Sequence, residues 1–356
     1  MKPKHHGLER KHMQNDKLTG FERVRAVVAG HDYDRPPVSP MLMLFAGRYA
    51  KIPFGEYCRN GEKMAEAQLK TMRGIGTDIL LTCSDPAREV IDIAGEESVR
   101  WFEDQPPAII EEAAALSDKS RLRTFRKPAP AKRGRMHDRV KAIEILVREA
   151  KGEAEIIGWV EGALALAAEL RGINNIMYDF MDDPDFVEEL LDYCAEVAVD
   201  YAKVQADAGV DSIGMSDAAA SMIGPELYGK YLFPRQMRIL SAIRSYGVMT
   251  RCHMCGRTDP LLASMKKLPV DIYEVDFKTD AATARKALGS DRVICGNIST
   301  VGPLLYGTPE EVIAEAGECH AILGARSMVS PGCEVSQITP VANVRAMVDY
   351  SMRAAS

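Results

Sequence analysis

The feature that most constrains this chain is a rhythm. Short apolar runs recur six times between Ile156 and Ser330, and each is followed by a helical pattern, as in parallel α/β folds. The runs are Ile156–Val160, Val210–Met215, the stretch from Gly247 through His253, Asp271–Val275, Arg292–Cys295 and Met328–Ser330. Between them lie helical segments: Ala163–Arg171, a long helix over Pro184–Ala208 capped by Asp182 or Asp183, a helix opened by Pro225 and bent at Pro234, and Pro309–Leu323. The first half is looser. Thr19 can cap a helix over Gly20–Gly30, Val38–Leu44 reads as a strand, and Gly61–Gly74 as a helix. Asp78–Cys83 is a second strand, Pro106–Leu116 a helix, and Met136–Lys151 an amphipathic helix. Eight strands are thus within reach. Eight parallel strand–helix units close into a (β/α)8 barrel, and no Gly-x-Gly-x-x-Gly turn argues for an open dinucleotide-binding sheet instead.

A barrel of this kind does its chemistry at the carboxyl ends of its strands. Glu161, Asp217, His253, Cys255, Asp276, Asn297 and Cys333 all fall at or just past such ends, from six different strands. His253 and Cys255 are two residues apart, so in a strand their side chains share a face. Cys333 supplies a third soft ligand at the end of the run from Ala325 to Val329. One imidazole and two thiolates suit zinc. Structural zinc takes four ligands in close pairs, whereas Cys255 and Cys333 are 78 positions apart (333 minus 255) with no second pair. Three ligands from distant strands leave a position open, which is the catalytic pattern and suits activation of a thiol. Three unliganded core residues are the plain alternative.

Composition narrows the partners. The 356 residues carry a formal net charge of -6, which argues against nucleic acid as the main partner. The basic, Pro-containing stretch Arg123–Arg139 reads as a solvated loop. No apolar run approaches the roughly 20 residues of a membrane span. The first residues carry histidines and lysines but no apolar signal core, so residues 1–17 are expected to form a disordered tail. Eight scattered cysteines without a signal peptide point to free thiols in a reducing cytoplasm. Cys252 is expected in the core, and Cys319 and His320 on a helix rather than as ligands.

Leu18–Gly30 followed by Asp34–Val38, Gly158–Gly162 with Leu170–Gly172, Ala208–Asp217, Gly224–Tyr228 through Pro234, and Cys295–Ile298 together resemble the uroporphyrinogen decarboxylase superfamily. Within it, the chain is similar to the zinc-dependent methylcobamide:coenzyme M methyltransferases and related corrinoid methyltransferases. Ala46–Tyr49 resembles the end of a decarboxylase motif, but Leu42–Phe45 stands where its first arginine and glutamine would be. The resemblance implies one barrel over residues 18–356 with an N-terminal helical extension, zinc on His253, Cys255 and Cys333, and a homodimer in the cytoplasm. It implies that a thiol held at zinc attacks methyl-cobalt presented by a separate corrinoid protein, because no cobalamin-binding stretch is present. Glu161 or Asp217 then takes the fourth zinc position or orients the incoming group, and Asp276 and Asn297 are expected to face the cofactor. A second reading reverses the transfer, with a methoxy, methylamine or methyl halide donor giving its methyl group to the corrinoid protein. A decarboxylase and a metal-binding barrel without turnover are the remaining alternatives.

Overall fold

The computed structural model describes residues 17–355; the tail expected over residues 1–17 lies outside them except for Lys17. The first described helix is Gly20–Ala29, closed by a reciprocal capping box between Thr19 and Glu22 as the sequence predicts. Its Arg23 reaches Asp34 through Nε (2.7 Å) and Asp78 through Nη1 (2.6 Å), while Arg35 donates to Asp78 at 2.8 Å. Asp78 also accepts the Val38 N–H at 2.7 Å. These paired buried charges staple the segment 34–38 beside the first strand.

The strands are β1 (Ile79–Leu81), β2 (Val99–Arg100), β3 (Ala108–Ile109), β4 (Glu155–Glu161), β5 (Ser212–Ser216), β6 (Met249–Met254), β7 (Ile272–Val275), β8 (Val293–Cys295) and β9 (Ser327–Met328). Seven form one parallel sheet in the order β1-β4-β5-β6-β7-β8-β9, and β2 pairs with β3 as a separate antiparallel ribbon. The eighth stave is minimal. Val38 bridges Val329 beyond β9, and on its other side its carbonyl accepts the Asp78 N–H at 2.9 Å, so residues 37–39 join the two ends of the sheet. The fold is a (β/α)8 barrel, with the late strands and their helices where the rhythm puts them.

Two early expectations fail. The strand over Val38–Leu44 shrinks to a single bridge, because Pro36, Pro37 and Pro40 cannot donate to a ladder, and Leu44–Ala50 is a helix instead. The helix over Pro106–Leu116 is replaced by β3 and a single 3₁₀ turn, Glu111–Ala113. There the β-branched Ile109–Ile110 follows two prolines, and pairing with Val99–Arg100 decides the conformation. The basic stretch is also less solvated than expected. Arg135 is bidentate to Asp85, and Arg139 is fully buried with Nη1 on the Trp159 carbonyl. The bend near Pro234 is present as a π turn over Tyr228–Leu232, where the proline cannot donate back to the preceding turn.

The interior is layered. At the amino ends of the strands, Val24 and Val27 of the first helix pack on Met249, Ile272, Val293, Cys295 and Met328, plugging that mouth. Above them Arg251 bridges Glu155 and Glu274, with neither Arg251 nor Glu155 exposed. Cys252 and Met254, of opposite parity on β6, point outward into the main core between sheet and helices. Inward parity on the same strand therefore runs Met249, Arg251, His253, and delivers the imidazole to the open end. No helix among the described residues is long and apolar enough to cross a membrane.

Candidate metal centre and cavity

His253 is the penultimate residue of β6, in register with Ser216 of β5 and Glu274 of β7. Cys255 follows one residue past the strand. Gly256 then takes φ +86°, a conformation L side chains rarely adopt, and turns the chain away. Cys333 arrives from the loop after β9, held by the Gly332 N–H on the Ile298 carbonyl at 2.9 Å. A Cβ at Gly332 would lie 2.1 Å from the Phe277 nitrogen, so only glycine lets this loop come down.

These placements bring the three predicted ligands together. His253 Nε2 lies 3.1 Å from Cys255 Sγ and 3.8 Å from Cys333 Sγ, and the two sulfurs are 3.8 Å apart. Tetrahedral zinc with ordinary bond lengths spaces two sulfurs by about 3.8 Å and sulfur from nitrogen by about 3.6 Å. The donor set fits such an ion. The remaining edge is shorter because Cys255 and His253 are at hydrogen-bonding distance. Among the described residues this is the one group of three His, Cys or carboxylate side chains close enough to hold a metal. The trio also stabilises one negative sulfur. The Cys255 hydrogen bond, with His253 beside it, holds the Cys333 thiol down to about 4, while donating to Cys333 and burial push Cys255 up. Burial works against a proton on His253, but Cys333 outweighs it and raises the imidazole.

The trio forms part of the wall of a cavity of about 640 Å³ at the carboxyl end of the barrel. Apolar walls come from Met41, Met43, Ile109, Trp159, Ile173 and Met222, and carboxyls from Asp85, Glu111, Glu161, Glu169 and Glu334. Glu161 is 7% exposed, and its carboxyl makes no hydrogen bond among the described residues. Burial, then Glu89, raises its pKa well above the usual carboxylate range. Glu169 is pushed up to about 7 by burial, then by Asp85 and Glu89. Glu334 is pushed up to about 8, again chiefly by burial, although its Oε1 accepts the Leu44 N–H at 3.0 Å.

The other sequence-predicted residues stand beside the cavity but do not line it. Asp217 is fully buried: Oδ1 accepts the Ala165 N–H at 2.9 Å and Oδ2 accepts from Gln236 at 3.0 Å. Burial raises it to about 6. Asp276 accepts the Gly256 and Lys278 N–H groups, both at 2.8 Å, and so fixes the turn that follows Cys255. Asn297 donates to the Thr279 carbonyl and accepts from Cys319. Of the four, Glu161 alone reaches the cavity. Sequence reasoning missed Glu169 and Glu334. Glu334 adjoins a predicted ligand and carried that signal; Glu169 lies within a helix, where nothing local marks its face.

A parallel barrel with an imidazole and two thiols gathered at its carboxyl face defines a class of thiol-rich, metal-competent barrel. The chain belongs to the uroporphyrinogen decarboxylase (URO-D) family, whose model matches residues 19–353. It is 34% identical over 248 residues to a methylcobamide:CoM methyltransferase, MtbA, of Methanosarcina acetivorans, covering 69% of this chain and 71% of that protein. The MtbA of Methanosarcina mazei is 32% identical over 247 residues, 69% of this chain and 70% of its own. A solved methyltransferase structure from Methanosarcina mazei superposes with a TM-score of 0.82 at 23% identity, covering 95% of this chain and 99% of that one. These relatives are enzymes, corrinoid-linked methyltransferases by name, as the sequence predicts.

Proposed function

We propose that this protein moves a methyl group between a methyl-corrinoid carried by a partner protein and a small thiol, with zinc on His253, Cys255 and Cys333. The observation that carries the reading is the convergence of those three side chains, 3.1–3.8 Å apart, on the wall of a cavity of ligand size. The names of the relatives support the corrinoid half of it. When bound, the ion would supply a Lewis acid that keeps a thiol in its thiolate form near neutral pH. His253 is held by the β6 backbone and Cys255 by the turn that Asp276 locks, so the donors are preorganised.

In the transfer itself the thiol loses its proton, its sulfur forms a bond to the methyl carbon, and the carbon–cobalt pair stays on cobalt. The apolar walls keep water from competing for the methyl group, and the thiol proton is released to solvent as the thiolate forms. Orientation is the barrel's main contribution. The test pairs metal analysis with turnover. Purified protein should bind one zinc and methylate a thiol from free methylcobalamin, and Cys255→Ser should lose both. Stoichiometric zinc in that variant would falsify the ligand assignment.

A further inference from the structure

We infer that the carboxyl face of the barrel beside the helix Ile173–Asp182 is the docking surface for the corrinoid protein, and that this partner presents an acidic rim around an apolar centre. The inference rests on the proposed transfer from a protein-borne corrinoid, and deepens it by naming where that protein sits and what surface it carries.

Three observations carry it. First, exposed apolar area is gathered at one end of the molecule. Among the described residues six large apolar side chains are more than half exposed: Tyr178, Met181, Met222, Val301, Tyr306 and Ile338. All six stand on segments that follow the carboxyl ends of β4, β5, β8 and β9, the end at which the metal site opens. Apolar side chains gathered on one surface mark where another protein covers them. Second, part of this surface runs into the cavity. Met222 lines the cavity and is also 61% exposed. Ile173 lines it too and opens the helix Ile173–Asp182, which carries Tyr178 and Met181 about 8 and 12 Å further along its axis. Those two are three residues apart and share the outer face, while Ile176 and Phe180 hold the inner one. A body seated on this face therefore reaches the mouth. Third, the flank of the same helix is positive. Residues 112–134 carry seven Lys and Arg against two acids, in a chain of net charge -6. The segment starts beside Glu111 and ends beside Arg135, which holds Asp85; Glu111 and Asp85 both line the cavity, so the segment leaves its rim and rejoins it. Lys119 pins the segment to the helix through Asp179 at 2.6 Å, and to the following cap through Asp183 at 2.9 Å. In the turn that Lys119 begins, Leu122 is buried, while Arg121 and Arg123 on either side of it are exposed and form no ion pair among the described residues. Exposed acids stand near in sequence, Asp118, Asp182 and Asp185, but the segment keeps its positive excess. Tyr, Met and Arg together are the composition of a protein interface. A nucleic acid would use the cations and leave the apolar centre bare. A second copy on a two-fold axis would bring its own basic flank to the same junction. An acidic protein surface with an apolar centre satisfies both features.

The experiment uses the zinc-loaded full chain and the corrinoid-binding proteins encoded in the same genome, each loaded with methylcobalamin. Binding is read by interferometry, and thiol methylation is measured from each loaded protein and from free methylcobalamin. At least one loaded protein should bind. The double variant Arg121→Glu/Arg123→Glu should weaken that binding by about tenfold or more at low salt, with the difference shrinking as salt is raised. Tyr178→Ser/Met181→Ser should weaken it by about tenfold at every salt concentration. Neither pair lines the cavity, so turnover from free methylcobalamin and the thermal melt should match the parent in both variants. Ile322→Ser, at the other end of the barrel, should change nothing. Full binding by the arginine variant overturns the acidic rim, and full binding by the Tyr178 and Met181 variant overturns the apolar centre. A single-stranded DNA oligonucleotide that binds the same arginines as tightly overturns the choice of partner, and so does a dimer, seen by light scattering, that the Tyr178 and Met181 variant dissolves. If binding follows the expected pattern but no donor methylates a thiol, the docking surface stands and the methyl-transfer proposal falls. If free methylcobalamin methylates a thiol while no loaded protein binds, the transfer chemistry stands and the docking surface falls.

Discussion

The two ends of this barrel bury charge in opposite ways. At the amino end and through the middle layer each buried carboxylate meets a guanidinium: Asp34 and Asp78 meet Arg23 and Arg35, and Glu155 and Glu274 meet Arg251. Among the described residues, Glu161 and Glu169 at the carboxyl end form no ion pair, and two thiols crowd an imidazole. Charge that is buried and paired belongs to the scaffold, because removing either partner strands the other in a low-dielectric interior. Charge that is buried and left unpaired weakens the fold, and makes sense where a ligand completes it. The contrast separates what holds the barrel closed from what the barrel holds open.

The largest expected effect lies in the paired layer. Arg251→Leu leaves Glu155 and Glu274 buried without a cation, and should lower stability by about 3–5 kcal/mol in denaturant melts. A loss below about 1 kcal/mol would show that the layer is not structural and would break the comparison. Next comes the unpaired end, where the sign should reverse. Glu169 holds its proton up to about pH 7, whereas the unfolded chain releases it near the ordinary carboxylate value of 4.5. The folded state thus binds more protons between those values, and stability falls as pH rises through that window. Glu169→Gln should therefore be more stable than the parent at pH 8, by about 1–3 kcal/mol, and equal to it at pH 4. Equal stability at both pH values would mean the carboxyl is hydrated in solution.

Smaller still is the expected effect of Cys333→Ser on the metal-free protein. The side chain is partly buried on the cavity wall and the substitution is nearly isosteric, so its melt should shift by less than about 1 kcal/mol while bound zinc, by metal analysis, disappears. Large destabilisation without metal would move Cys333 from the second group to the first. The smallest effect belongs to neither group. The surface pair of Arg73 with Glu153, at 2.8 Å but open to solvent, should leave the melting temperature unchanged in Arg73→Ala.

How far the sequence could be read follows the same division. The late half was legible because each strand and helix there is long enough to show its period: Pro309–Leu323 has the bounds its Thr308 cap and proline announce, and the Pro184 helix ends within a residue of its expected stop. The early half was not, because Val38 contributes one bridge and β3 only two residues, below the length at which alternation is a signal. At the site, His253 and Cys255 were legible from spacing alone. Asp217, Asp276 and Asn297 were rightly put at strand ends, yet a strand end says nothing about whether a carboxylate faces the cavity or turns back to cap a neighbouring loop.

By itself the sequence determined the parallel strand–helix repeat, the strand parity that sends His253 inward and Cys252 outward, and the choice of three soft side chains as candidate ligands. These depend on periods and residue chemistry, which are local. Only the tertiary structure decided that Cys333 comes within 3.8 Å of partners 78 and 80 positions away, that Glu169 and Trp159 share the same wall, and that Asp217 and Asp276 spend their oxygens on backbone donors. Distance across a closed ring is set by how eight staves meet, and no stretch of chain carries that information alone.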